Sequence, residues 1–148
     1  MEQQLKGLRT AVTGDEAGHG RVIADQLAAA GAHIAYCTPH YGDAAEAVQA
    51  LSDHGTHVTV TTIRLADGAA LARWVNTAAQ DLGGLDLVIC CLGDAPVEAA
   101  LQLLQAARPH LLHSETKGFV VIGDHTALAA EAGGLRLRAL SPGESLSL

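Results

Sequence analysis

Thr13-Gly14-Asp15-Glu16-Ala17-Gly18-His19-Gly20 is the stretch that decides how this chain folds. An aliphatic run, residues 8–12, leads into it, and an Ala/Leu-rich helical pattern leaves it. Glycines at 14, 18 and 20 let a strand turn directly into a helix, because no Cβ obstructs the turn. The unpaired N–H groups at the start of that helix then face any anion held there. A glycine triplet set between a strand and a helix near the N-terminus carries the physics of a dinucleotide pyrophosphate site. The alternative is a tight turn that binds nothing.

Working outward, short aliphatic runs alternate with helical ones and no linker divides them. Strands are predicted at 8–13, 32–38, 57–63, 85–91, 119–123 and 135–140. The helix after the glycine turn runs to about residue 30, with Val22, Ile23, Leu27 and Ala30 on one face and Gly31 placed to stop it. Asp43 is read as the N-cap of a second helix, 43–53, whose apolar side is Ala44, Ala47, Val48 and Leu51. Asp67 caps a long helix with Leu71, Trp74, Val75, Ala78 and Leu82 inward, closed by Gly83-Gly84. After Pro96, a last helix turns Val97, Leu101, Leu104 and Leu111 inward, and Pro109 should bend or end it. A short Ala-rich turn, 126–132, precedes 135–140, where leucines alternate with Arg136 and Arg138 as in a half-exposed strand. Strands alternating with helices give an α/β fold in one domain, a Rossmann-like doubly wound parallel sheet of about six strands between two helical layers.

Bulk properties narrow the partners. The chain has 148 residues, enough for a buried core, and is 49% apolar but only 3% aromatic, so that core is aliphatic. A net charge of −7 argues against nucleic acid and anionic membranes, and no apolar stretch is long enough to span a bilayer. The polar segment 1–6 shows no signal pattern, which points to the cytoplasm. Cys37, Cys90 and Cys91 fall in predicted strands and read as reduced thiols buried as small hydrophobes. No paired-ligand spacing of His or Cys supports a metal site. His33, His54, His57, His110 and His113 read as surface or strand-edge residues, and Trp74 as core.

These pieces together resemble the short-chain dehydrogenase/reductase family over nearly the whole chain. Thr13-Gly14-x-x-x-Gly18-x-Gly20 matches the family's cofactor loop, and Leu27-Ala28-Ala29-Ala30-Gly31-Ala32 follows it as there. Gly84-Leu85-Asp86-Leu87-Val88 is similar to the lead-in to its fourth strand, and 136–143, ending Leu140-Ser141-Pro142-Gly143, to its sixth strand and Pro-Gly turn. The resemblance implies NAD or NADP as ligand, without metal. Gly14, Gly18, His19, Gly20 and Gly93 would line the cofactor, and Thr38, His40 and Arg64 would cradle a 2′-phosphate, favouring the phosphorylated form.

The departures from the family matter as much. Its Asn-Asn-Ala-Gly after strand four is here Cys90-Cys91-Leu92-Gly93, and the position of its catalytic Ser falls near His125. No Tyr-x-x-x-Lys helix fits between His125 and Leu135, so the whole Asn-Ser-Tyr-Lys set is absent. Asp15 and Glu16 put two carboxylates inside the phosphate loop, implying a weak or vestigial site. The favoured reading is a redox-inactive pseudoenzyme or assembly partner. One alternative is a non-redox enzyme of cyclase, dehydratase or isomerase type, using His125 and Asp124 for proton transfer in a crevice that also holds Cys90, Cys91 and Asp94. The other is an atypical NADP-dependent oxidoreductase. The short connection after strand five is near the minimum for a parallel crossover, so 135–140 belongs at a sheet edge or against a second chain. Losing the helix after strand five is expected to expose Leu103, Leu104 and Leu112, which predicts a homodimer or a complex with a related chain.

Overall fold

The aliphatic runs become strands and the 3.6-residue patterns become helices, in the expected order. A computed structural model of the protein describes residues 6–14, 19–91, 97–122 and 134–140, with backbone alone at His19, Ala139 and Leu140. Its strands are β1 (Arg9–Thr13), β2 (His33–Thr38), β3 (Val58–Thr62), β4 (Leu87–Cys90), β5 (Gly118–Ile122) and β6 (Arg136–Leu140). The described helices are α1 (His19–Ala29), α2 (Tyr41–Ser52), α3 (Gly68–Leu82) and α4 (Val97–Leu111). The six strands form one sheet in the order β3-β2-β1-β4-β5-β6, and every pairing is parallel. β6 lies at the edge beside β5 of its own chain, from Gly118↔Arg136 to Ile122↔Leu140. Arg136 and Arg138 are exposed there while Leu137 packs inward, as the alternation predicts.

Two aliphatic cores sandwich the sheet. On one face α3 and α4 close over Ala11, Ala35, Val88 and Phe119; on the other α1 and α2 close over Val12, Ile34, Ile89 and Val120. Helices on both faces of a parallel sheet are the doubly wound arrangement. The α3 reading holds in detail. Asp67 accepts a hydrogen bond from the Ala70 N–H at 3.0 Å, Leu71, Trp74, Val75 and Ala78 are buried, and Gly83 closes the helix at φ 81°.

Other inward faces need correction. Val22, Val48 and Val97 stand 45% exposed or more, because one residue's rotation along each helix gives the buried stripe to smaller neighbours such as Ala24, Ala28, Ala47 and Ala99. α4 runs through Pro109 to Leu111; only two helical residues follow the proline, so little helix is left to break. Leu103 and Leu104 are fully buried, since α4 spends them on its packing against α3 and the sheet. Of the three leucines expected at the surface, Leu112 alone is exposed, at 40%. None of the described helices is long and apolar enough to cross a membrane.

The amino edge of the sheet is locked by charge. Arg9 opens β1 and lays its guanidinium on Asp86, with Nε to Oδ2 and Nη2 to Oδ1 both 3.1 Å, while its own backbone N–H donates to Oδ2 at 2.9 Å. Ser114 donates to Oδ1 at 2.7 Å from the end of α4, and the Arg9 Nη1 reaches the Gly83 carbonyl at 2.7 Å. Two segments distant in sequence, the start of β1 and the end of α4, thus converge on one carboxylate.

Candidate functional site

The carboxyl ends of the strands form the opposite edge. β1 sits between β2 and β4, and the chain winds away from it in both directions, which makes the β1/β4 boundary the switch point where open α/β sheets place ligands. Thr13, the last residue of β1, secures that boundary. Its hydroxyl accepts from the Cys91 N–H at 2.7 Å and donates to the Cys91 carbonyl at 3.0 Å, with no exposure to solvent. The two strand ends that flank the crevice are therefore held by one side chain.

Glycines set how closely α1 approaches β1. A Cβ on Gly20 would run into the Thr13 carbonyl oxygen and lie 3.0 Å from the Gly14 Cα. Only glycine lets the first turn of α1 sit this close to the end of β1. At Gly14 the obstacle is different: a Cβ there meets the Tyr36 hydroxyl and ring. Gly14 also donates its N–H to the Cys37 carbonyl at 2.7 Å, joining the turn to β2.

At the end of β2 the structure departs from the sequence reading. α2 starts at Tyr41, and His40 takes the N-cap position without capping the helix through its side chain. Asp43 lies in the first turn, where its carboxylate gathers three donors instead of capping. Oδ2 accepts from the Tyr36 hydroxyl at 3.0 Å and the Thr38 hydroxyl at 2.8 Å, and Oδ1 pairs with Arg21 of α1 at 3.0 Å. Two buried hydroxyls that need an acceptor outweigh one exposed helix N–H. Thr38 is fully buried, donates to Asp43 and lies 3.4 Å from the His40 N–H, so its hydroxyl has no donor to offer a phosphate. The expected Thr38–His40–Arg64 cradle thus loses its first member, whereas Arg64 stays exposed just beyond β3. Asp43 and Arg21 are the site residues that sequence reading missed. The signal was there: Asp43 follows Gly20 by 23 residues (43 minus 20), near the spacing of a ribose-binding acid.

Cys37, Cys90 and Cys91 are buried beside the crevice. Burial pushes the Cys90 thiol up to about 12, and holds Cys37 well above the usual range with Cys90 adding to the effect. Neither supplies a thiolate at neutral pH, which supports their reading as core. Ellman's reagent at pH 8 is expected to leave the folded protein's thiols unmodified while all three react in denaturant. Fast labelling of the native protein would restore a nucleophilic role.

Gly18, Gly93, Asp94, Asp124 and His125 lie outside the described residues, as do Asp15, Glu16 and the side chain of His19. The surface histidines behave as expected: His54 and His57 pair with Asp25 and Asp81 at 2.9 and 3.0 Å, and His110 bonds Asn76 at 2.8 Å. Among the described residues no group of three or more His, Cys, Asp or Glu is placed to hold a metal ion.

This architecture has close counterparts. A family model described as short chain dehydrogenase matches residues 9–129. A short chain dehydrogenase from Burkholderia cenocepacia J2315, solved in complex with NADP, is 25% identical with a TM-score of 0.71, covering 88% of this chain and 64% of its own. The NADH-dependent reductase A1-R' complexed with NAD is 19% identical with a TM-score of 0.78, covering 97% of this chain and 81% of its own. A short-chain type dehydrogenase/reductase from Mycobacterium marinum is 18% identical with a TM-score of 0.74, covering 93% and 72%. No curated protein matches the sequence.

Proposed function

Because the chain belongs to the short chain dehydrogenase family, we propose that it holds a nicotinamide dinucleotide without performing the family's hydride transfer. The observation that carries this reading is where its tyrosines and lysines lie. Hydride exchange with a carbonyl carbon needs an acid–base group at the oxygen, and losing it costs orders of magnitude in rate. The chain has two tyrosines and two lysines. Tyr36 is buried in β2 with its hydroxyl given to Asp43, and burial, with the Asp43 charge, drives its pKa upward so that it keeps its proton. Tyr41 opens α2 and is exposed, on the β2 side of the crevice. Lys6 precedes β1 and Lys117 precedes β5, both at the amino edge of the sheet, away from the crevice.

Support for binding comes from the other half of the geometry. The close Gly20 approach, the Thr13 clasp at the switch point and a carboxylate at the end of β2 fit a dinucleotide laid across the carboxyl edge. Bound, it would supply a hydride donor or acceptor at its nicotinamide. Gly20 and the α1 N–H groups would hold its phosphates, while Thr13 ties the ends of β1 and β4 together. Assembly with a second chain finds less support now that Leu103 and Leu104 are buried, so the proposal concerns the chain by itself.

Calorimetric titration with NADH and NADPH, alongside NADH oxidation assays on a panel of ketones and aldehydes, tests the reading. Binding with a dissociation constant of roughly millimolar or tighter, without turnover, is expected. No heat at millimolar cofactor removes the binding half, and carbonyl turnover removes the other. β5 ends at Ile122 beside β4, and His125 follows three residues later in sequence. A non-redox activity abolished by His125→Ala would replace this reading with the proton-transfer enzyme.

A further inference from the structure

Resting on the dinucleotide-binding reading above, we infer that Tyr36 is a positioning residue for the phosphate end of the site. Its hydroxyl, anchored on Asp43, props Gly14 and so fixes where the first turn of α1 rests. The geometry is a closed ring of contacts. The Tyr36 hydroxyl and ring fill the space into which a Cβ on Gly14 would point. Against Gly14 in turn lies Gly20, whose own Cβ would come within 3.0 Å of the Gly14 Cα. The next residue of α1, Arg21, pairs with Asp43 Oδ1 at 3.0 Å, and Asp43 Oδ2 accepts the Tyr36 hydroxyl at 3.0 Å. The path from Tyr36 through Gly14, Gly20, Arg21 and Asp43 thus returns to Tyr36.

Four elements meet in that ring: β2 gives Tyr36, the residue after β1 is Gly14, α1 gives Gly20 and Arg21, and α2 gives Asp43. Without Tyr36, Gly14 would be tied to β2 by its N–H bond to the Cys37 carbonyl alone, a single link about which the chain can pivot. Tyr36 precedes Cys37 and points to the face that α1 and α2 cover, so neighbouring residues of one strand hold Gly14 in two directions. The phenol suits the task. Fully buried, it has no room to change rotamer, and burial with the Asp43 charge drives its pKa upward, so the hydroxyl stays a donor to the carboxylate. Phenylalanine would fill the same space without the bond that keeps the ring in register with α2. Because the α1 N–H groups move with Gly20, a displaced Gly14 shifts the donors that would meet the phosphates.

Amide hydrogen exchange of the ligand-free protein, followed by NMR, and calorimetric titration with NADH test this on Tyr36→Phe. The Gly14 amide is expected to exchange about tenfold faster in the variant, while the Asp86 and Gly118 amides at the opposite edge of the sheet keep their rates. NADH should bind about fivefold more weakly. An unchanged Gly14 rate, or one that rises together with those of Asp86 and Gly118, overturns the positioning role, because the hydroxyl then serves general stability or nothing. Faster Gly14 exchange with unchanged NADH affinity overturns it as well and leaves dinucleotide binding standing. A wild type that binds no NADH removes both the binding reading and this role. Arg21→Met opens the same ring from the solvent side and should speed Gly14 exchange about threefold. It decides if Tyr36→Phe does not fold, and an unmoved Gly14 there overturns the ring.

Discussion

Gly20→Ala is expected to cost more than about 3 kcal/mol of folding stability, although alanine is the better helix former by about 1 kcal/mol. The reason is what the new methyl would touch. The Thr13 carbonyl oxygen and carbon and the Gly14 Cα are all backbone, so no side chain can rotate aside and either β1 or α1 must shift. Such a shift also disturbs the Thr13 clasp on Cys91, because the same residue carries both. Two companions calibrate the result. Gly14→Ala meets the Tyr36 hydroxyl and ring, so its cost should fall when Tyr36→Val is combined with it. Gly42→Ala, near the start of α2 with open space around it, should be neutral or mildly stabilising. Urea titrations of the four variants measure this, and a Gly20→Ala protein as stable as Gly42→Ala would defeat the close-packing account.

Asp86→Ala should lower stability by about 2–3 kcal/mol, a drop of roughly 5–10 °C in melting temperature for a chain of this size. Asp86 is the acceptor for the Arg9 guanidinium, the Arg9 backbone N–H and the Ser114 hydroxyl, and its removal leaves all three short of a partner where little water reaches. The magnitude is set below that of a fully buried pair because a third of the Arg9 side chain meets solvent. Burial alone would push the Asp86 carboxyl up. The bonds from the Arg9 side chain, the Arg9 backbone and Ser114, with the Arg9 charge, outweigh it and hold the group below the usual carboxylate range. A pKa depressed in the folded state stabilises at pH values above the unfolded value of about 3.9, and this contribution is lost as pH falls through the lower, folded value. The stability gap between the wild type and Asp86→Asn should therefore stay constant from about pH 5 to 8 and close only below about pH 4. A gap that closes instead near pH 6 would assign the effect to histidines such as His57.

How far the sequence could be read depends on the kind of contact. Strand and helix order was legible because the periodicity of aliphatic residues is a local signal, and Asp67 and Gly83 were legible because caps act within one turn. The role of Gly20 was half legible: the glycine marks the turn, but only the fold shows that the Thr13 carbonyl demands it. Asp43 was misread because its donors, Tyr36, Thr38 and Arg21, come from three separate elements, and nothing local says they will prevail over a helix cap. Leu103 and Leu104 were misread for a similar reason. Whether an apolar face lies bare depends on which neighbour arrives, and here α3 and the sheet take it up.

The bond between Arg9 and Asp86 joins residues 77 positions apart, and that separation shapes the life of the chain during synthesis. β1 emerges first and finds β2 within a few dozen residues, as Arg9↔His33 pairing shows. Its other neighbour, β4, is translated only after α3 has been made. Until then one whole flank of the strand destined for the middle of the sheet has its N–H and C=O groups unpaired. The nascent protein passes through a stage in which its innermost strand is an open edge, the form most prone to pairing with a neighbouring chain.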